Sequence, residues 1–124
     1  MKKIYVAGDY SADNIIEGLQ NIGKGRFESA KLFVHGFAPF CPWWDASFCI
    51  DHPYETYDKE MFYNASMVWL EVSDAVFVIS GVGKGGGVDK EIARASELGI
   101  PVFNNIEDLT NWSIDINGDG LKKD

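Results

Sequence analysis

The chain is short of the residues that define several functional classes. Only two cysteines, Cys41 and Cys49, occur in 124 residues, and no CxxC pair or neighbouring His pair offers a metal site. They are read as two buried free thiols, with a disulfide as the alternative. With no signal-peptide pattern, they predict a reducing compartment, the cytoplasm. Basic residues number 11 against 19 acidic ones, for a net charge of -8. Stable binding to nucleic acid is not expected without a basic patch. No apolar run approaches the ~20 residues that span a bilayer. His35 and His52 are the only histidines; neither has a partner in sequence, and both are read as structural.

What is present is apolar and aromatic, 46% and 14% of the chain. That composition is globular, and the length suits one domain over residues 1–124. Lys3–Gly8 (KIYVAG) reads as a buried strand. Asp9–Asn14 holds turn and N-cap residues. Ile15, Leu19, Ile22, Ala30 and Val34 predict a helix over Ile15–Val34, with Gly36 as its stop. A strand over Phe37–Cys41 follows, then an irregular aromatic stretch, Pro42–Pro53. Tyr57, Met61, Ala65, Val68 and Val72 mark the apolar face of a second helix. Ala75–Ser80 is a strand, Gly81–Gly87 a loop, and Val88, Ile92, Ala95 and Leu98 mark a third helix ended by Gly99. Ile100–Phe103 is a strand and Ile106–Trp112 a short last helix.

This β-α alternation predicts an α/β fold. It would be a doubly wound, flavodoxin- or Rossmann-like parallel sheet of four or five strands with helices on both faces. Ligands bind such folds outside the carboxyl ends of the strands. There the sequence places Gly8–Ser11, the Pro42–Cys49 loop and the Gly81–Gly87 loop.

The densest constellation is the strand AVFVIS, the loop GVGKGGG and the helix after it. Five glycines and a helix N-terminus predict an anion cradle, with a plain flexible loop as the alternative. The loop lacks the GKS/T of a Walker motif. Glu91 lies in the first turns of that helix, and a fixed carboxylate there can attack a sugar carbon; a solvated helix glutamate is the alternative. Tyr5 and Asp9–Ser11 lie at the end of the first strand, and their polar atoms can orient a sugar or phosphate; a core aromatic is the alternative for Tyr5. Trp43 and Trp44 offer faces for stacking on a base, or form a hydrophobic cap. Asp45 beside them is a candidate general acid. Asp115, Asn117, Asp119 and Gly120 match the opening of a calcium loop whose closing Glu is absent; a polar turn is the preferred reading.

The segments IYVAGDYSADN, HGFAPFCP, WLEVSDAVFVIS and GVDKEIARASELGIPVF resemble the nucleoside 2-deoxyribosyltransferase-like family, in particular its small phage-encoded and bacterial branch. The resemblance runs over about Met1–Leu109. It implies the fold above, a homodimer or higher homo-oligomer, and a small nucleoside or nucleoside 5′-monophosphate as ligand. It also implies cleavage or transfer at the N-glycosidic bond without a cofactor. Glu91 falls at the position of the family nucleophile, and Tyr5 and Gly8 fall in its substrate-binding first loop. Ser66 stands where active members commonly carry an aspartate. Gly85, beside Gly86 and Gly87, stands where monophosphate-cleaving members often have a serine. Asp9 replaces a proline common in relatives. These departures keep two alternatives open: a nucleotide-binding or regulatory module that has lost catalysis, and a phage-encoded interaction protein.

Overall fold

The computed structural model describes residues 1–117. Four strands, β1 (Lys3–Ala7), β2 (Ala38–Phe40), β3 (Ala75–Val78) and β4 (Val102–Phe103), form one parallel sheet in the order β2-β1-β3-β4. The helices are α1 (Ile15–Val34), α2 (Phe48–Asp51), α3 (Lys59–Glu71), α4 (Gly87–Leu98) and α5 (Ile106–Asn117). The stretch expected to be irregular is instead a 3-10 helix, Pro42–Ser47, running into α2. Proline at the first helical position suits this start, because its missing N–H would have no partner there.

The strands read as continuous apolar runs because both faces are covered. Side chains alternate across the sheet, so Ile4, Val6, Ala75 and Phe77 enter one core. Tyr5, Ala7, Val76 and Val78 enter the other. The first core includes Leu32 of α1 and Leu109 of α5; the second includes Leu70 of α3 and Val88 and Ala95 of α4. The protein is therefore an α/β three-layer fold, doubly wound as the alternation implies. The chain steps from β1 to one side and from β3 to the other. Its switch point thus lies between their carboxyl ends.

Local chemistry explains the helix boundaries. Asn14 Oδ1 accepts from the Glu17 N–H at 2.9 Å and opens α1. Asp58 does the same for Met61 at 3.0 Å in α3. Gly99, at φ 71°, lets Ile100 N–H bond Ala95 at 2.8 Å and ends α4.

Two helix faces differ from the sequence reading. In α1 the side chains of Ile15, Leu19 and Val34 are exposed, and Gly25, Ser29 and Leu32 are buried. In α3, Met61 and Val68 are exposed, as is Val72 at its C-cap, and Ser66 and Leu70 are buried. Size complementarity overrides the apolar stripe in α1. The Trp43 ring lies against the helix so closely that a Cβ at Gly25 would overlap it. Gly25→Ala is expected to cost about 2 kcal/mol through overpacking. Gly23→Ala, two residues away and with nothing within 4 Å, is expected to gain up to about 1 kcal/mol from helix propensity. Urea unfolding of the two variants checks the opposite signs.

Among the described residues, no helix is long and apolar enough to cross a membrane. α5 runs through Asn117, so Asp115 and Asn117 lie on a helix and not in a loop. Asp119 and Gly120 of the calcium-loop match lie outside the described residues. Cys41 is buried but Cys49 is exposed, which corrects the expectation of two buried thiols; they form no disulfide. The exposed His35 bonds its own helix through Lys31 O.

Candidate active site

Tyr5 and Glu91 stand 86 residues apart in sequence and meet in the buried layer beneath α3 and α4. The meeting follows from strand and helix geometry. Tyr5 pairs in register with Val76 in the sheet centre, so its side chain leaves toward the face that α4 covers. Val88, Glu91 and Ala95 share the inward face of α4 at i, i+3 and i+7. Glu91 is thus turned inward, with 8% of its surface exposed. The Tyr5 hydroxyl donates to Glu91 Oε2.

Burial pushes the Glu91 carboxyl up to about 7, although the Tyr5 hydrogen bond favours the ionised form. Burial likewise raises the Tyr5 phenol, with the Glu91 charge adding to it and the Ser66 hydroxyl opposing it. Ser66 is itself buried, on the inward face of α3. Burial raises Tyr10 and Tyr63 too, and the Glu91 charge adds to the shift in both. Glu91 thus bonds one phenol, that of Tyr5, and its charge acts on two more, those of Tyr10 and Tyr63. Tyr10 falls within the Asp9–Ser11 segment expected from sequence, and Tyr63 does not belong to any expected site segment. Tyr63 precedes Ser66 by three residues, one helical turn, and that spacing is the signal that could have found it.

Asp45, on the 3-10 helix, is half-buried, and burial raises its carboxyl. Its charge acts on Tyr10. The hydrogen bonds of the described residues do not join it to Glu91, so it belongs to the outer part of the site. Trp44 is 70% exposed and free to stack. Trp43 is 3% exposed, and this corrects its expected role as a base-stacking platform. Cβ positions at Gly8 and Gly25 would both press on its ring, the former at 2.8 Å, and Tyr10 packs edge-on against it with centroids 5.3 Å apart. Its indole N–H has no partner among the described residues.

A cleft of about 330 Å³ opens beside Trp43, lined by Asp9, Ser11, Lys24 and Lys84 among others. Glu91 does not line it. The two are different parts of one strand-end region. Trp43 belongs to the core on the α1 side and Glu91 to the α4 side, and Tyr10 touches Trp43 while feeling the Glu91 charge. Glu91 is the candidate reacting group, a buried carboxylate with a donor partner.

Part of the glycine loop is taken up by the chain itself, at Gly83 and Gly85. Asp89 Oδ1 accepts from Gly83 N–H at 2.8 Å and Oδ2 from Gly85 N–H at 2.5 Å. These N–H groups hold the Asp89 carboxyl below its ordinary value. Gly86 is the N-cap of α4 and Gly87 its first residue, with no side-chain cap bond. Across the cleft, Asp9 accepts from Ser11 Oγ at 2.5 Å, Ser11 N at 3.0 Å and Lys84 Nζ at 3.1 Å. Ser11 and then Lys84 hold the Asp9 carboxyl low. Gly8 meets Ile79 and Trp43 so closely that any side chain there would clash; its role is packing of the first loop.

No protein-family model matches the chain, and no curated protein matches it at a significant level.

Proposed function

We propose that the protein cleaves or transfers at the N-glycosidic bond of a nucleoside, with Glu91 as nucleophile. The observation that carries the reading is the buried hydrogen bond between Tyr5, in the middle of β1, and Glu91 on α4. A carboxylate near neutrality is both ionised in useful amount and poorly solvated, which favours attack on carbon. A Glu91 oxygen bonds C1′ while the C1′–N bond breaks. The electron pair leaves on the base nitrogen, which takes a proton from an acid. Water or a second base then displaces the carboxylate and restores it. Asp45 is the proposed acid, because burial raises its carboxyl above the ordinary value. Trp44 offers an exposed face to the base. The resemblance in Met1–Leu109 supports the same assignment. A homo-oligomer belongs to the reading as well, supported by the outward apolar residues Val68 and Trp69 of α3 and Val72 at its C-cap. Chromatography of free base from deoxynucleosides tests it; intact substrate at high enzyme and long times defeats it.

The Tyr5 bond makes a sharper test. Attack needs ionised Glu91, so kcat/KM is expected to fall as pH drops below about 7. Tyr5→Phe removes a donor to the ionised form. The acid limb then moves up by about one to two pH units, the worth of a hydrogen bond to a charged group. Activity near neutrality drops and returns at higher pH. An unmoved limb means that Tyr5 does not govern the carboxylate.

Ser66 favours a second reading, a nucleotide-binding module without turnover. It is buried against Tyr5 and stands where the resemblance expects an acid. Thermal stabilisation by a nucleotide with no base released distinguishes it.

A further inference from the structure

We infer that Asp9 and Asp89 are specificity-determining residues that exclude a 5′-phosphate, so that the site takes an uncharged nucleoside. The inference rests on the nucleoside reading above and narrows its substrate class. A phosphate needs donors that are free, and the chain's own carboxylates already hold those of Gly83, Gly85, Ser11 and Lys84. Gly83 and Gly85 lie at φ 84° and 71°, left-handed conformations that let the loop present N–H groups to one anion. That anion is Asp89, with one carboxylate oxygen on each N–H. At the cleft wall, Asp9 takes Lys84 Nζ and both donors of Ser11. The Asp9 N–H in turn donates to Ser80 Oγ at 3.0 Å.

The charged groups lining the cleft are Asp9 and Glu17 against Lys24 and Lys84, a balanced set. A phosphate dianion entering there meets two carboxylates. To reach Lys84 it must break the Asp9–Lys84 pair, and to reach the Gly83 and Gly85 N–H groups it must displace Asp89, with like charges opposing it in both places. A sugar hydroxyl meets no such penalty. It can donate to Asp9 and accept from a neutral donor.

Two measurements on the full chain test this. The first is thermal unfolding in inorganic phosphate against chloride at equal ionic strength. Wild type is expected to show no phosphate-specific shift. Asp89→Ala, which frees the Gly83 and Gly85 N–H groups, is expected to gain one. The second is kcat/KM for a deoxynucleoside against its own 5′-monophosphate. Wild type is expected to favour the nucleoside by about ten-fold or more, and Asp89→Ala and Asp9→Asn to narrow that ratio by about ten-fold. Asp9→Asn frees Lys84 at an exposed position and serves if Asp89→Ala does not fold. Phosphate-specific stabilisation of wild type, or preference for the monophosphate, overturns the inference. So does a ratio that neither variant moves. If wild type releases base from neither substrate, the nucleoside reading fails, and the phosphate titration alone decides whether these carboxylates close the site to anions.

Discussion

Glu91→Gln is expected to abolish base release, lowering kcat by roughly 10⁴-fold or more, because an amide oxygen is a poor nucleophile and a poor leaving group in the second step. The substitution suits the site. Glutamine has the volume of glutamate and keeps an oxygen that can accept the Tyr5 hydroxyl. The fold is therefore retained, and circular dichroism with thermal unfolding is the control. Chromatography of free base from the best wild-type substrate reads the effect. Turnover within ten-fold of wild type in a folded Glu91→Gln protein removes Glu91 as nucleophile. It leaves the Tyr5 contact a buried structural hydrogen bond.

The same carboxyl makes stability depend on pH, with a sign opposite to that of an ordinary ion-paired acid. Burial raises Glu91 from its ordinary 4.5 to about 7 in the folded chain. Below 4.5 the group is protonated both folded and unfolded, and the contribution is fully present. Between 4.5 and about 7 the unfolded chain has lost the proton while the folded chain keeps it. The unfolded state then binds fewer protons, so stability falls as pH rises. Above about 7 the loss levels off near 3 kcal/mol for this group, at about 1.4 kcal/mol per pH unit. Asp9 and Asp89, held low by their partners, contribute in the other direction and lose their share only in acid. Urea midpoints from pH 5 to 8 check the slope by comparison of wild type with Glu91→Gln. The difference between them is expected to widen toward pH 8 in favour of the glutamine variant. Parallel profiles overturn the shift. A ligand that binds ionised Glu91 is expected to stabilise wild type most in the alkaline half of the range.

These two results are coupled through one design choice, the burial of an acid with too few donors to solvate its charge. Burying a carboxyl in this way costs stability at neutral pH. The exposed ion pairs offset little of it. Arg94 with Glu71 and Glu97 lies at the surface, where such pairs contribute at most about 1 kcal/mol.

The alternation of short apolar runs with helical stretches determined the architecture from sequence alone. It is a local property: a strand buried on both faces is apolar throughout, and AVFVIS and KIYVAG show that without reference to any other residue. Helix limits were equally local, since Asn14, Asp58 and Gly99 act on backbone groups within a few positions of themselves. The inward place of Glu91 follows from its i+3 spacing after Val88. Tertiary structure decided the rest. Which face of α1 is buried depends on Trp43, a residue outside that helix, and on the room that Gly25 leaves for it. That packing also turned an expected stacking surface into core. The partner of Glu91 depends on β1 lying beside β3, an adjacency of sheet order. The occupation of the Gly83 and Gly85 N–H groups depends on where the Asp89 carboxylate turns back. Periodicity records how each segment meets its own solvent or core. Contacts such as Tyr5 with Glu91, 86 residues apart, arise only when the strand order and the packing of two layers bring separate segments to one point.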